Sequence, residues 1–200
     1  NLIKQGHKPN GDLRGHKADI FEGGHRVPFI VKWPGKVKPN SVTNRLTCQT
    51  DFTRTCADIL GVKLTDKDAV DSQSFLPTLT DAAITERDAI VHHSINGSFA
   101  IRQGKWKLCL CPGSGGWSAP RPGKATKDLT PIQLFDLEAD PAEAKNLQAE
   151  HPEKVKQLTD LLQSYVDKGR STPGTIQKNA GETSSYGPGK KKAVKPNRIE

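Results

Sequence analysis

Apolar positions along this chain change their period several times, and each change marks a different element. "RVPFIVKW" (residues 26–33) is an unbroken apolar run closed by Pro34-Gly35. That pattern predicts a short strand buried on both faces, as in the sheet of an α/β protein. In "QTDFTRTCADILGV", Phe52, Cys56, Ile59 and Leu60 recur at helical spacing. They predict a helix capped by Thr50 or Asp51 and stopped at Gly61. Residues 62–86 lose the period, and "DSQSFLPTLTDAA" reads as a loop with a short turn.

From residue 88 the texture becomes β-rich. "AIVHHS", "SFAIRQ" and "KWKLCLC" are three short runs joined at Asn96-Gly97 and Gln103-Gly104. Turn dipeptides between such runs are hairpin signals, so residues 88–111 are predicted as an antiparallel meander. "IQLFDLE" (132–138) predicts a fourth strand. "DPAEAKNL" then turns toward a helix that starts after His151, with Pro152 in its first turn. Val155, Leu158, Leu161, Leu162, Tyr165 and Val166 form its apolar face, and Gly169 ends it.

Charge changes this picture only once it is located. The formal net charge is +8, but residues 170–200 hold Arg170, Lys178, Lys190, Lys191, Lys192, Lys195 and Arg198 against only Glu182 and Glu200. That stretch therefore accounts for +5, and the body is close to neutral, which argues against nucleic acid as a partner. With almost nothing apolar to bury, the stretch is expected to be a disordered basic tail. No apolar run approaches the roughly 20 residues that span a bilayer. The chain contains no methionine and opens on Asn1, as expected of a fragment or processed piece. Cys48, Cys56, Cys109 and Cys111 fit neither a zinc ribbon nor a redox motif; they are expected to be structural thiols, with Cys56 buried on its helix.

Candidate chemistry concentrates in "LRGHKADIFEGGHRVPFIVKWPG" (13–35). Lys17 lies in a glycine-bearing loop before the apolar run. A lysine there offers a point charge suited to sulfate or phosphate, and Gly15, Gly23 and Gly24 would let backbone approach a ligand. On spacing alone a solvated surface lysine is the better reading. Glu22 and Arg26 are expected to pair and pin the turn, and His25 reads as a satisfied polar residue or a ligand. His92 and His93 are adjacent on a predicted strand and so point to opposite faces. "PGSGGW" (112–117) has the glycines of an anion-cradling loop without the P-loop frame. Asn96-Gly97-Ser98 also matches a glycosylation sequon.

The 13–35 stretch resembles the signature near the end of the catalytic domain in sulfatases of the arylsulfatase type. There, a lysine precedes E-G-G-x-R-x-P by five residues and W-P-G closes the strand; Lys17, Glu22, Gly23, Gly24, Arg26, Pro28, Trp33, Pro34 and Gly35 match. The resemblance continues through "TDFTRTCADILGV", "DAIVHHSINGSFAIRQGKWKL", "CPGSGGW" and "QLFDLEADPAEAKNLQAEHPEKV", over residues 7–174. It implies an α/β fold class: residues 1–86 as the end of an alkaline-phosphatase-like sulfatase catalytic domain, and 87–169 as a small α+β subdomain with a four-stranded antiparallel sheet and a C-terminal helix. Residues 170–200 remain the tail.

The same resemblance implies a function. The substrate class is a sulfate ester, aryl or carbohydrate, with Lys17 binding the sulfate; His93 and His92 are candidates for the substrate side of the pocket, together with the 112–118 loop. The family uses a formylglycine nucleophile, whose hydrated form attacks sulfur, and a Ca²⁺ ion on Asp and Asn oxygens. Neither the C-x-P-S-R-type motif nor the Asp-Asn ligands stand in this sequence, so both are expected upstream and these 200 residues alone are expected to be inactive. A periplasmic or secreted location is implied as well. Two other readings fit Lys17: an inactive relative that binds sulfated glycans, and a hydrolase of phosphate or phosphonate esters.

Overall fold

A computed structural model describes residues 2–83, 85–179 and 181. Its centre is a four-stranded antiparallel meander: β1 (Ile90–His93), β2 (Phe99–Gln103), β3 (Trp106–Cys109) and β4 (Gln133–Asp136), in spatial order 1-2-3-4. The β2–β3 register pairs Arg102 with Lys107 and Ile101 with Leu108, so alternate residues divide cleanly between two faces.

One face packs on the C-terminal helix α3 (Pro152–Lys168). Ile101, Leu108 and Leu134 meet Leu158 and Leu162, with Val155, Leu161 and Tyr165 at the margin. This is the predicted amphipathic stripe, and Gly169 closes the helix with φ 62°, a left-handed backbone that favours glycine. The opposite face of the sheet carries Ala100, Cys109 and Phe135, which pack against Ile20 and Phe21 of the 13–35 signature. The signature thus forms a third layer on the sheet.

Three expectations fail here. Residues 26–33 form no strand: Phe29 is half-exposed and Ile30 is 89% exposed. An extended apolar segment buries both faces only with strands on either side, and among the described residues this one has none. Helix α1 (Asp51–Leu60) forms and ends at Gly61 as predicted, but turns its apolar stripe outward. Leu60 is 75% exposed, Phe52 and Ile59 are also exposed, and Cys56 is exposed rather than buried. The buried side is Asp51, Thr55 and Ala57, because Asp51 is fixed by the backbone N–H groups of Cys48 and Gln73 and by an ion pair with Arg87. The apolar residues that do meet are Phe29, Phe52 and Phe75, in edge-to-face contact with centroids 5.3–5.5 Å apart.

The third concerns the start of the tail. Arg170 is buried and donates to Asp66, Thr172 and Thr175, Ser171 bonds Asp71, and the Gln177 N–H reaches the Lys168 carbonyl. Residues 170–175 are therefore pinned to the 66–71 segment, and Gln177 and Asn179 to the end of α3. The expectation for 182–200 lies outside the described residues.

The two apolar surfaces should respond differently to substitution. Ile30→Glu or Leu60→Glu is expected to change the unfolding free energy by less than about 0.5 kcal/mol. Leu158→Ala should cost about 2–5 kcal/mol. Urea unfolding of the 200-residue chain checks both, and a loss above about 1 kcal/mol at Ile30 would mean that this face is covered.

Candidate functional site

The turn bearing Lys17 is built on one buried carboxylate. Asp19 accepts the N–H of His16 at 2.8 Å, that of Trp117 at 2.8 Å and that of Ser118 at 3.0 Å, as well as the Ser118 hydroxyl. Burial pushes its pKa up, but the hydrogen bonds from Ser118, His16 and Trp117 outweigh that and hold the carboxyl below its ordinary value. Asp19 thereby ties the signature to the 112–118 loop. The Ile20 N–H to the Ser114 carbonyl at 2.8 Å reinforces the contact, and the Ile95 N–H to the Ala18 carbonyl at 2.9 Å ties the same turn to the β1–β2 connection.

The glycines serve this packing rather than a ligand. A Cβ on Gly24 would collide with the Asp19 carbonyl, and one on Gly116 with the Ala18 carbonyl. The sequence pattern is right about close backbone approach, but the partner is another stretch of the same chain. On this frame Lys17 is exposed and makes no ion pair or hydrogen bond with any described residue.

Glu22, the acid of the E-G-G segment, does not pair with the side chain of Arg26, which is exposed. It accepts instead from Lys107 at 3.0 Å and from Arg102 at 3.1 Å, with His25 at 3.7 Å. Lys107 is fully buried and also contacts Glu143 at 2.8 Å, and the other Glu143 oxygen accepts the Glu22 backbone N–H at 2.6 Å. Arg14 closes the ring by donating to the Glu143 carbonyl at 2.6 Å. Burial disfavours the charge on Glu22, yet His25, Lys107 and Arg102 hold its pKa well below the ordinary range. Burial disfavours the charge on Lys107 too, but the carboxylates of Glu143 and Glu22 outweigh it and leave its pKa raised. Glu143 is raised by its burial.

His92 joins this cluster, stacked on His25 with ring centroids 3.7 Å apart. Burial lowers both pKa values, so both rings are neutral near pH 7, and among the described residues His25 Nδ1 and His92 Nε2 have no hydrogen-bond partner. His93 points to the other face, toward Phe99, and its Nδ1 lies 2.9 Å from the Ser94 carbonyl. The structure therefore brings His92, and not His93, to the signature layer. Among the described residues no group of three or more His, Cys, Asp or Glu is disposed to hold a metal ion. The buried carboxylates are committed to N–H and ammonium donors, so this donor set does not suit calcium.

Sequence reasoning missed Asp19, Arg102, Lys107 and Glu143. Alternation in "KWKLCLC" marks Lys107 as a residue opposite the apolar face, which ordinarily means solvent. Only the docked signature makes that face an interior.

Lys107→Met should strand Glu143, leave Glu22 to Arg102, and destabilise the chain by about 3–5 kcal/mol, read by urea unfolding. Adding Glu143→Gln to it should restore part of the loss. The buried histidines also set a pH dependence. Their folded pKa values lie below about 6.5, so their contribution is complete above that pH and is lost as pH falls below it. Glu22, also lowered, adds a loss that begins near pH 4.5, while the raised Glu143 opposes it. The Tm is thus expected to fall from pH 7 to pH 5, and His92→Gln should flatten that slope.

Comparison with known proteins agrees with this architecture. The family model described as N-sulphoglucosamine sulphohydrolase, C-terminal, matches residues 16–111. The chain is 41% identical over 162 residues to the N-acetylgalactosamine-6-O-sulfatase of Bacteroides thetaiotaomicron, covering 80% of this chain and 31% of that protein. It is 33% identical over 191 residues to bovine arylsulfatase A, covering 86% and 37% respectively. A solved structure from work on glycosaminoglycan metabolism by Bacteroides thetaiotaomicron aligns with a TM-score of 0.68 at 39% identity, over 82% of this chain and 34% of that one. The chain spans about a third of the length of these relatives. With a sulfatase C-terminal model on the signature and sheet, and sulfatases as its relatives in sequence and structure, the chain belongs to the sulfatases of the alkaline-phosphatase-like superfamily and corresponds to their C-terminal portion.

Proposed function

We propose that this sequence belongs to an enzyme that hydrolyses sulfate esters, with Lys17 as its sulfate-binding residue. One observation carries the reading: a lysine free of any described partner is held out on a turn locked by a buried aspartate, within the segment that matches the sulfatase model. A sulfate monoester is anionic, and cleavage builds further negative charge on the departing oxygen. An ammonium group at about 4 Å is worth about 4 kcal/mol to such a charge at an effective dielectric near 20. Because Asp19 fixes the turn beforehand, only the lysine side chain has to be ordered when charge develops.

The remaining chemistry falls to groups outside these 200 residues. A formylglycine would supply the nucleophile and a calcium ion would orient the sulfate. The described residues offer no ligand set for that ion, so its ligands would also come from elsewhere. The name of the 41% relative favours a sulfated carbohydrate over a small aryl sulfate as the substrate class. A periplasmic or secreted location accompanies this reading; no described helix is long and apolar enough to cross a membrane.

Sulfate release by the full-length protein carrying this sequence is the test. Lys17→Ala is expected to lower kcat/KM by about 10²–10³ with little change in Tm. The 200-residue chain alone should release none. Sulfated glycan bound without turnover would favour an inactive binding protein, and preferential cleavage of phosphate esters would favour a phosphohydrolase.

A further inference from the structure

The 112–118 loop has one outward feature that its own folding does not explain. Residues Gly113 to Gly116 are buried, and the loop is cross-tied by Ser114 Oγ to the Ser118 carbonyl at 2.7 Å, Ser114 N–H to the Pro120 carbonyl at 3.0 Å, and the bonds to Asp19. Trp117 follows directly and is 54% exposed, belonging to neither apolar core. A large aromatic left in water on a loop this well fixed gains nothing from burial and contributes nothing to the interior. It is placed beside the cation of interest: Gly116 lies against the Ala18 carbonyl, one residue from Lys17, while Trp117 N–H is held by Asp19 on the other side of Ala18. A second cation flanks it, since exposed Arg121 donates Nε to the Trp117 carbonyl and has no other described hydrogen-bond partner.

We propose that Trp117 is the stacking platform for the sugar ring whose sulfate group Lys17 holds, with Arg121 at its edge. The assignment rests on the sulfatase reading above. An aromatic face packs against the C–H face of a pyranose, and polar cationic neighbours suit the hydroxyl and anionic groups around that ring rather than a purely apolar ligand. Because the loop is fixed before binding, the ring loses little freedom on engagement, which favours affinity. The role is in binding, so it should appear in KM rather than in kcat.

The experiment uses the full-length protein and two substrates, a sulfated monosaccharide and a ringless alkyl sulfate. Trp117→Ala is expected to raise KM for the saccharide about tenfold, with kcat within about twofold, and so to lower the preference for saccharide over alkyl sulfate by a similar factor. Trp117→Phe should recover most of that preference. A preference unchanged in Trp117→Ala, or a KM raised equally for both esters, would overturn the platform while leaving the sulfatase reading intact. Failure of the wild-type protein to release sulfate from either ester would overturn the sulfatase reading and the platform with it.

Discussion

The arrangement of this chain depends on the ion pair between Glu22 and Lys107. The register sets Arg102 and Lys107 directly opposite each other on adjacent strands, where like charges repel. A sheet face holding two such cations could remain in water. Here it is covered by the signature segment, and covering it requires buried carboxylates. Glu22 supplies one from the signature, and Glu143 supplies the other from the turn after β4. The interior is therefore organised by charge as much as by apolar area.

That constraint reaches Lys17 through the intervening residues. Ile20 and Phe21 are fully buried between the charge cluster and the Asp19 anchor, so the four residues from Asp19 to Glu22 form one rigid insertion into the sheet face. At one end it fixes the 112–118 loop, and at the other it neutralises the sheet. The exposed lysine is the residue left outside. A flexible cation on a rigid base is well suited to an anion that arrives and leaves, since only the side chain must adjust.

The meander, its turns, the last helix and its terminal glycine were legible in the sequence because each is specified by local period and turn chemistry. The signature was legible as a motif, and Lys17 stood out by residue type and setting. Its supporting residues were not. Nothing local distinguishes Lys107 and Arg102 from the solvent side of two strands, or Asp19 and Glu143 from other loop acids. The apolar run 26–33 and the outer stripe of α1 misled in the opposite direction. Periodicity shows that a face seeks cover, and it cannot say whether this chain provides it.

By itself, then, the sequence determined the four strands of the meander, the helices α1 and α3, and which motif bears the lysine. These depend on neighbours within a few residues, where backbone geometry dictates the pattern. Tertiary structure alone decided that Glu22 serves Lys107 and Arg102 rather than Arg26, that the glycines accommodate backbone rather than ligand, and that Trp117 lies beside the Lys17 turn. Apart from Gly24 against Asp19, those outcomes join residues some 80 to 120 positions apart in the chain. Such pairings follow from burial, which makes an unpaired charge too costly to keep.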